Sequence, residues 1–139
     1  MHFVIKCPPS YGRANRRYAV KHTLSANYRI YKGACAEVVA GHKAPFGPLC
    51  VIAEFYWHRP HVGDVDAALK ATLDGFTEGG YWEDDSRVVC APPLQRSVAT
   101  KQEQCVKVWV YQAHTWSIIR GRLKACLEDA VSDWQERTT

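Results

Sequence analysis

The densest chemistry in this chain of 139 residues lies between Gly63 and Asp85, in Asp64-Val65-Asp66-Ala67-Ala68-Leu69-Lys70 and, downstream, Trp82-Glu83-Asp84-Asp85. In extended backbone approaching a helix, Asp64 and Asp66 point to the same side, because side chains alternate with period two. Once the helix has begun, Asp66 and Lys70 are four apart and share a face. Two carboxylates and an ammonium then converge on one helix N-terminus, where free N–H groups also favour a phosphate. The third carboxylate has to come back to that point. A helix from Asp66 to Phe76 rises ~15 Å, and the chain from Phe76 to Asp85 spans up to ~30 Å when extended. The return is geometrically easy, with Gly79-Gly80 as its turn.

Three carboxylates around one pocket suit an oxygen-liganded cation, Mg²⁺ or alternatively Mn²⁺, which keeps several waters and binds substrate phosphate oxygens. The chemistry would be phosphodiester hydrolysis: the cation orients or activates water, and Lys70 stabilises charge on the phosphate or the leaving oxygen. Taken alone, an Asp-x-Asp pair is more simply an N-cap with an i, i+4 ion pair to Lys70. The weight rests on the combination.

Charge along the chain agrees with such a site. Residues 1–63 carry nine Lys and Arg against two Glu; residues 64–86 carry Lys70 against seven carboxylates; residues 87–139 carry eight basic residues against five acidic ones. An acidic island in a basic chain holds a cation while its surroundings attract a polyanion; a solvated acidic loop has the same composition. Arg13, Arg16 and Arg17, interleaved with Tyr11 and Tyr18, form a candidate nucleic-acid contact loop, since guanidinium groups clamp phosphate while aromatic rings stack. His58, Arg59 and His61 form a second, in a Pro/Gly turn just before Asp64.

Periodicity supplies the elements that must position these groups. His2–Cys7 alternates as a strand and stops at Pro8-Pro9. From Ser25 as N-cap, Tyr28, Tyr31, Cys35 and Val38/Val39 recur at helical spacing up to Gly41. Gly47–Trp57 reads as a central strand, and Leu69, Leu73 and Phe76 as the stripe of a short second helix ending at Gly79-Gly80. Strands follow near Arg87–Ala91 and Gln104–Tyr111, joined by a loop or hairpin over Pro92–Thr100. A third helix over Trp116–Arg137 has the stripe Trp116, Ile119, Leu123, Cys126/Leu127, Ala130 and Trp134, with Arg120, Arg122, Lys124, Asp129 and Asp133 on the opposite face. The expected architecture is a single α/β (α+β) domain over residues 1–139, a small mixed sheet in the order β-α-β-α-β-β plus a C-terminal helix, with residues 112–139 a helical extension.

Composition excludes other classes. Apolar residues make up 47% and charged residues 23%, outside the range of disorder. The longest uncharged apolar stretch, Gly47–Ala53, falls far short of the ~20 residues that span a bilayer, and the first ten residues lack the pattern of a signal peptide. A cytoplasmic protein without membrane contact is expected. The six cysteines are never closer than fifteen positions, so no CxxC half-site exists and they read as reduced, mostly buried thiols.

The ordered pattern Asp64-x-Asp66-x-x-x-Lys70, Leu73-Asp74-Gly75-Phe76, Gly80-Tyr81-Trp82-x-Asp84-Asp85-x-x-Val88, with Pro8-Pro9-Ser10, Asn15 and Tyr18 upstream, resembles the RusA-like Holliday junction resolvases over roughly residues 1–111. The resemblance implies a homodimeric, Mg²⁺-dependent endonuclease that binds four-way DNA junctions and nicks two strands symmetrically, in bacterial cells and often phage-encoded. It carries the catalytic role to Asp64, Asp66, Lys70 and Asp85, with the three carboxylates as metal ligands. Three departures stand out: Ala67 replaces the Asn usual after the second Asp, four residues separate Ser10 from Asn15, and histidines stand where the family is strongly basic before Asp64. A catalytically weak branched-DNA binding module, and a related nuclease acting on other branched or single-stranded nucleic acid, are the alternatives.

Overall fold

The computed structural model describes residues 1–12, 26–58 and 65–138. Arg13, Arg16, Arg17, Arg59, His61 and Asp64 therefore lie outside the described residues, as does Ser25 with its N-cap role.

The sheet is built on one long strand, β2 (Leu49–His58), whose run Leu-Cys-Val-Ile-Ala-Glu-Phe-Tyr-Trp is buried at every position. A strand buried on both faces reads as a continuous apolar run rather than an alternating one. Along one edge β5 (Cys105–Gln112) pairs antiparallel, with Val51 opposite Val110 and Ala53 opposite Val108. Outside β5 lies β1 (His2–Ile5), also antiparallel, with Phe3 opposite Val108. Along the other edge run β3 (Val88–Cys90) and then β4 (Pro93–Val98), both parallel to β2 and placed one after the other along its length.

The mixed sheet and three helices agree with the expected class, but β4 occupies the stretch read as a loop. Pro93-Leu-Gln-Arg-Ser-Val lacks a strand's apolar alternation, and a proline opens it. Pairing with β2 alone overrides both, because proline is tolerated at the first residue of an edge strand.

Alternation along β2 separates two cores. Leu49, Val51, Ala53, Phe55 and Trp57 face α1 (Ala26–Val39) and α2 (Val65–Glu78). Cys50 and Ile52 face the other way, toward Ile119 and Cys126 of α3 (Trp116–Thr138). On the first face α2 presses hard on α1. A Cβ added at Gly75 would stand 2.5 Å from Cys35 Cβ, and one at Gly79 would stand 2.7 Å from the Ala36 carbonyl oxygen. Only glycine permits that approach. Inside the same contact the buried hydroxyls of Tyr31 and Thr72 are 2.6 Å apart; Thr72 donates to the Ala68 carbonyl, so Tyr31 is the donor between them.

The second face corrects the expected stripe of α3. Ile119 and Cys126 are buried, with Leu123 and Ala130 packed beside them, but Trp116 and Trp134 are 61% and 56% exposed and Leu127 is exposed too. The helix is rolled so that two residues assigned to its outer face reach the sheet. Asp133 accepts from Arg96 Nε of β4 at 2.5 Å, and the Arg122 guanidinium lies 3.9 Å from the Trp109 ring centroid. Arg96 also pairs with the buried Glu54 at 2.9 Å, and Trp109 Nε1 donates to the other oxygen of that carboxylate at 3.2 Å. A buried carboxylate is retained when it is paired and hydrogen-bonded, and here the roll of α3 completes the pairing of its guanidinium partner.

Cys7, Cys35, Cys50 and Cys126 are buried free thiols, Cys105 is half-buried and Cys90 is exposed. Among the described residues no helix is long and apolar enough to cross a membrane.

Candidate functional site

The acidic island is carried by α2 and by the turn that follows it. Asp66 stands exposed in the first turn of α2, Lys70 stands exposed one turn later, and Asp74 is half-buried one turn after that. The i, i+4, i+8 spacing puts acid, base and acid in one column of α2. The sequence reading assigned the first two; Asp74 is the member it did not assign, although the same spacing identifies it.

After α2 the chain reverses through Gly79 and Gly80, the latter at φ +75°, a left-handed conformation natural to glycine. Tyr81 and Trp82 then plunge into the core beside Phe76 and Phe3, with ring centroids 5.3–5.6 Å apart. Trp82 donates its indole N–H to Thr77 Oγ1 at 2.7 Å. Trp82 is thus a buried anchor, and the next three residues, Glu83, Asp84 and Asp85, are held at the surface. Asp84 Oδ1 accepts from the Ser86 N–H at 2.9 Å and caps a single 3₁₀ turn over Asp85–Arg87.

The result is a shallow pocket of about 310 Å³ lined by Lys32, Asp74, Thr77, Glu78, Glu83, Asp84 and Asp85. Lys32 of α1 spans to Glu78 at 2.7 Å. The structure therefore returns Asp85 to the C-terminal half of α2, beside Asp74, whereas the sequence reading aimed it at the helix N-terminus. Lys70 stands close enough for its charge to act on Asp85. Asp66 does not line the pocket; it stands two turns before Asp74, an axial rise of ~12 Å.

Electrostatics separate the two adjacent aspartates. The Ser86 backbone N–H, followed by a hydrogen bond with Asp85, holds Asp84 below the usual carboxylate value. Partial desolvation, followed by the hydrogen bond with Asp84 and the negative charges of Asp84 and Asp74, pushes Asp85 above it, with Lys70 opposing. A carboxylate crowded by like charges is one that a cation or a proton relieves. Hard carboxylate oxygens are the donors Mg²⁺ takes, so the chemistry of Asp85 and its neighbours fits such an ion. Among the described residues no group of three or more His, Cys, Asp or Glu side chains is arranged to hold a metal ion, and Asp64, the expected third ligand, lies outside them.

Of the basic residues expected to contact DNA, only His58 is described. It ends β2, where its backbone N–H donates to Gln104 Oε1 at 3.2 Å.

No family model matches the chain. Curated relatives do. The protein named crossover junction endodeoxyribonuclease rusA of Enterobacteria phage 82 is 29% identical over 91 residues, covering 63% of this chain and 76% of that protein. The protein of the same name from Escherichia coli K12 is 28% identical over 85 residues, covering 59% of this chain and 71% of its own.

Proposed function

This chain is RusA-like, and from that premise we propose that it is an endodeoxyribonuclease that resolves Holliday junctions. The observation that carries the reading is the column Asp66, Lys70 and Asp74 on α2, with Asp85 brought back against its C-terminal half. That arrangement suits phosphate chemistry: anionic oxygens for a divalent cation, with an ammonium beside them.

The finer reading is Mg²⁺ dependence and paired, symmetric nicking by a homodimer. By the resemblance Asp64, Asp66 and Asp85 would hold the ion; Asp85 stands beside Asp74, two turns along α2 from Asp66, so Asp74 joins the candidate ligands, and Mn²⁺ offers the same oxygen preference. When bound, the ion would orient a water and neutralise charge on the phosphorus oxygens. Lys70 supplies a fixed positive charge for the phosphate oxygens or the leaving oxygen. Asp84 accepts from the Ser86 N–H through Oδ1 and caps the turn that presents Asp85. Trp82 fixes the same turn from below. Two symmetric nicks need two active sites, most simply from a C₂ pair of chains. The expected setting is the cytoplasm of a bacterial cell, with a phage gene as one source.

The test is separation of binding from cleavage. Asp66→Asn keeps the shape of the side chain and removes its charge, so nicking of a labelled four-way junction should collapse while junction binding persists or tightens, since repulsion of phosphate is relieved. Wild-type protein that binds the junction without nicking it under Mg²⁺ would instead favour the weak binding module, to which Ala67 points. Equal cleavage of single strands and junctions would favour the broader nuclease. Light scattering on the free and DNA-bound protein tests the dimer; a monomer in both states rules it out.

A further inference from the structure

The segment between α1 and β2 carries the most exposed large apolar side chain among the described residues: Phe46, at 93%. Its backbone is pinned on every side. The Ala44 N–H donates to the Tyr81 carbonyl at 2.8 Å, Gln112 Nε2 donates to the Phe46 carbonyl at 3.2 Å, and the Ala113 N–H donates to the Pro48 carbonyl at 2.8 Å. The Arg87 guanidinium donates to the carbonyls of both residues flanking the phenylalanine, Pro45 and Gly47. Gly47 turns the chain at φ +78°. Prolines on both sides add stiffness, since each fixes its own φ. The loop that carries the ring is thus braced, and moving its backbone toward the core would break those bonds.

What surrounds the ring indicates what it meets. Phe46 borders a hollow of about 350 Å³ whose wall includes Lys43, Arg87 and Glu83. Glu83 also lines the carboxylate pocket, so the two hollows share a wall. Arg87 is taken up by the loop carbonyls and by Glu83 at 3.3 Å, whereas Lys43 stands exposed with a single donation to the Gly80 carbonyl at 2.8 Å. An exposed aromatic face beside an exposed ammonium, next to a phosphate-chemistry site, has the components of a single-strand nucleic-acid contact: a ring for a base and positive charge for its backbone. Within a continuous duplex every base face is covered by its neighbours. A strand-exchange point interrupts that stacking.

We propose that Phe46 is a base-contacting residue, its ring stacking on a nucleobase at the branch point of the DNA cut in the adjoining carboxylate pocket, with the exposed Lys43 ammonium as the cation nearest the phosphates of that strand. The proposal rests on the functional reading above and deepens it by assigning a residue to recognition of the branch.

The experiment compares wild type, Phe46→Ala and Phe46→Trp in a chelating buffer, on a four-way junction carrying 2-aminopurine at the branch and on a linear duplex of the same sequence. Wild type should bind the junction in preference and change the probe's fluorescence. Phe46→Ala should lose most of that change and about tenfold in junction affinity, within the range that removing one stacking aromatic produces. Phe46→Trp should restore both, and duplex affinity should be alike in all three. A Phe46→Ala protein with wild-type junction affinity and fluorescence change overturns the inference and leaves the functional reading standing. Loss of binding to both DNAs together, or a changed oligomeric state, overturns it as well, because the ring would then serve the fold or an interface between proteins. Wild type with no preference for the junction overturns the functional reading, and this inference with it.

Discussion

Trp82 donates its indole N–H to Thr77 Oγ1 at 2.7 Å, and the Thr77 hydroxyl in turn donates to the Leu73 carbonyl at 3.1 Å. The last turn of α2 is thereby tied to the segment that presents Glu83, Asp84 and Asp85. Thr77→Val keeps the shape of the side chain but leaves a largely buried indole N–H without this partner, which costs about 1–3 kcal/mol. Urea unfolding should show that loss, and because the turn is loosened, cleavage should fall more than DNA affinity does.

The crowding of Asp85 makes a prediction about pH. Its carboxyl is held above the ordinary value, so ionising it disfavours the folded state, and that penalty is present above the folded-state value and vanishes below the unfolded one. Asp85→Asn should therefore melt at a higher temperature than wild type at neutral pH without added metal, with the gap closing as the solution is acidified through the carboxylate range. Added Mg²⁺ should raise the melting temperature of wild type more than that of the variant. Thermal melts at several pH values, with and without the ion, check both statements; a variant less stable than wild type at neutral pH would show that desolvation and neighbouring negative charge do not govern Asp85.

Much of this site was legible from spacing alone. Asp66 and Lys70 are four apart, the apolar stripe of Leu69, Leu73 and Phe76 marked the helix, and Gly79-Gly80 marked its end. The central position of β2 followed from its unbroken apolar run. What escaped depends on partners remote in sequence. Residues 93–98 become a strand because β2 offers an open edge. The roll of α3 is set by Arg96 and Trp109, which no helical periodicity reports. Phe46 belongs to no periodic segment, and its exposure follows from carbonyls bound by Arg87 and Gln112, 41 and 66 residues downstream.

The network behind the sheet supplies a stability test. Glu54 is only 4% exposed and shares Arg96 with Asp133 of α3. Removing one partner of a buried pair leaves an uncompensated charge, at a cost of about 3–5 kcal/mol. Arg96→Met should lose that much in urea unfolding and loosen α3, seen as faster hydrogen exchange along that helix. Glu54→Gln in the same chain should recover part of the loss, since the charge left behind is then gone. An Arg96→Met protein as stable as wild type would show that the network does not hold the helix.

Asp66, Lys70 and Asp85 are proposed to cut branched DNA. The most direct measurement is strand cleavage of an end-labelled four-way junction and of a linear duplex of the same sequence, with Mg²⁺ and with chelator, for wild type, Asp66→Asn and Lys70→Ala. Wild type should nick the junction in preference to the duplex and only when the ion is present. Both variants should lose cleavage by orders of magnitude, Asp66→Asn retaining junction affinity and Lys70→Ala losing little of it. Wild-type cleavage rates in either variant, or nicking that ignores the chelator, would contradict that proposal.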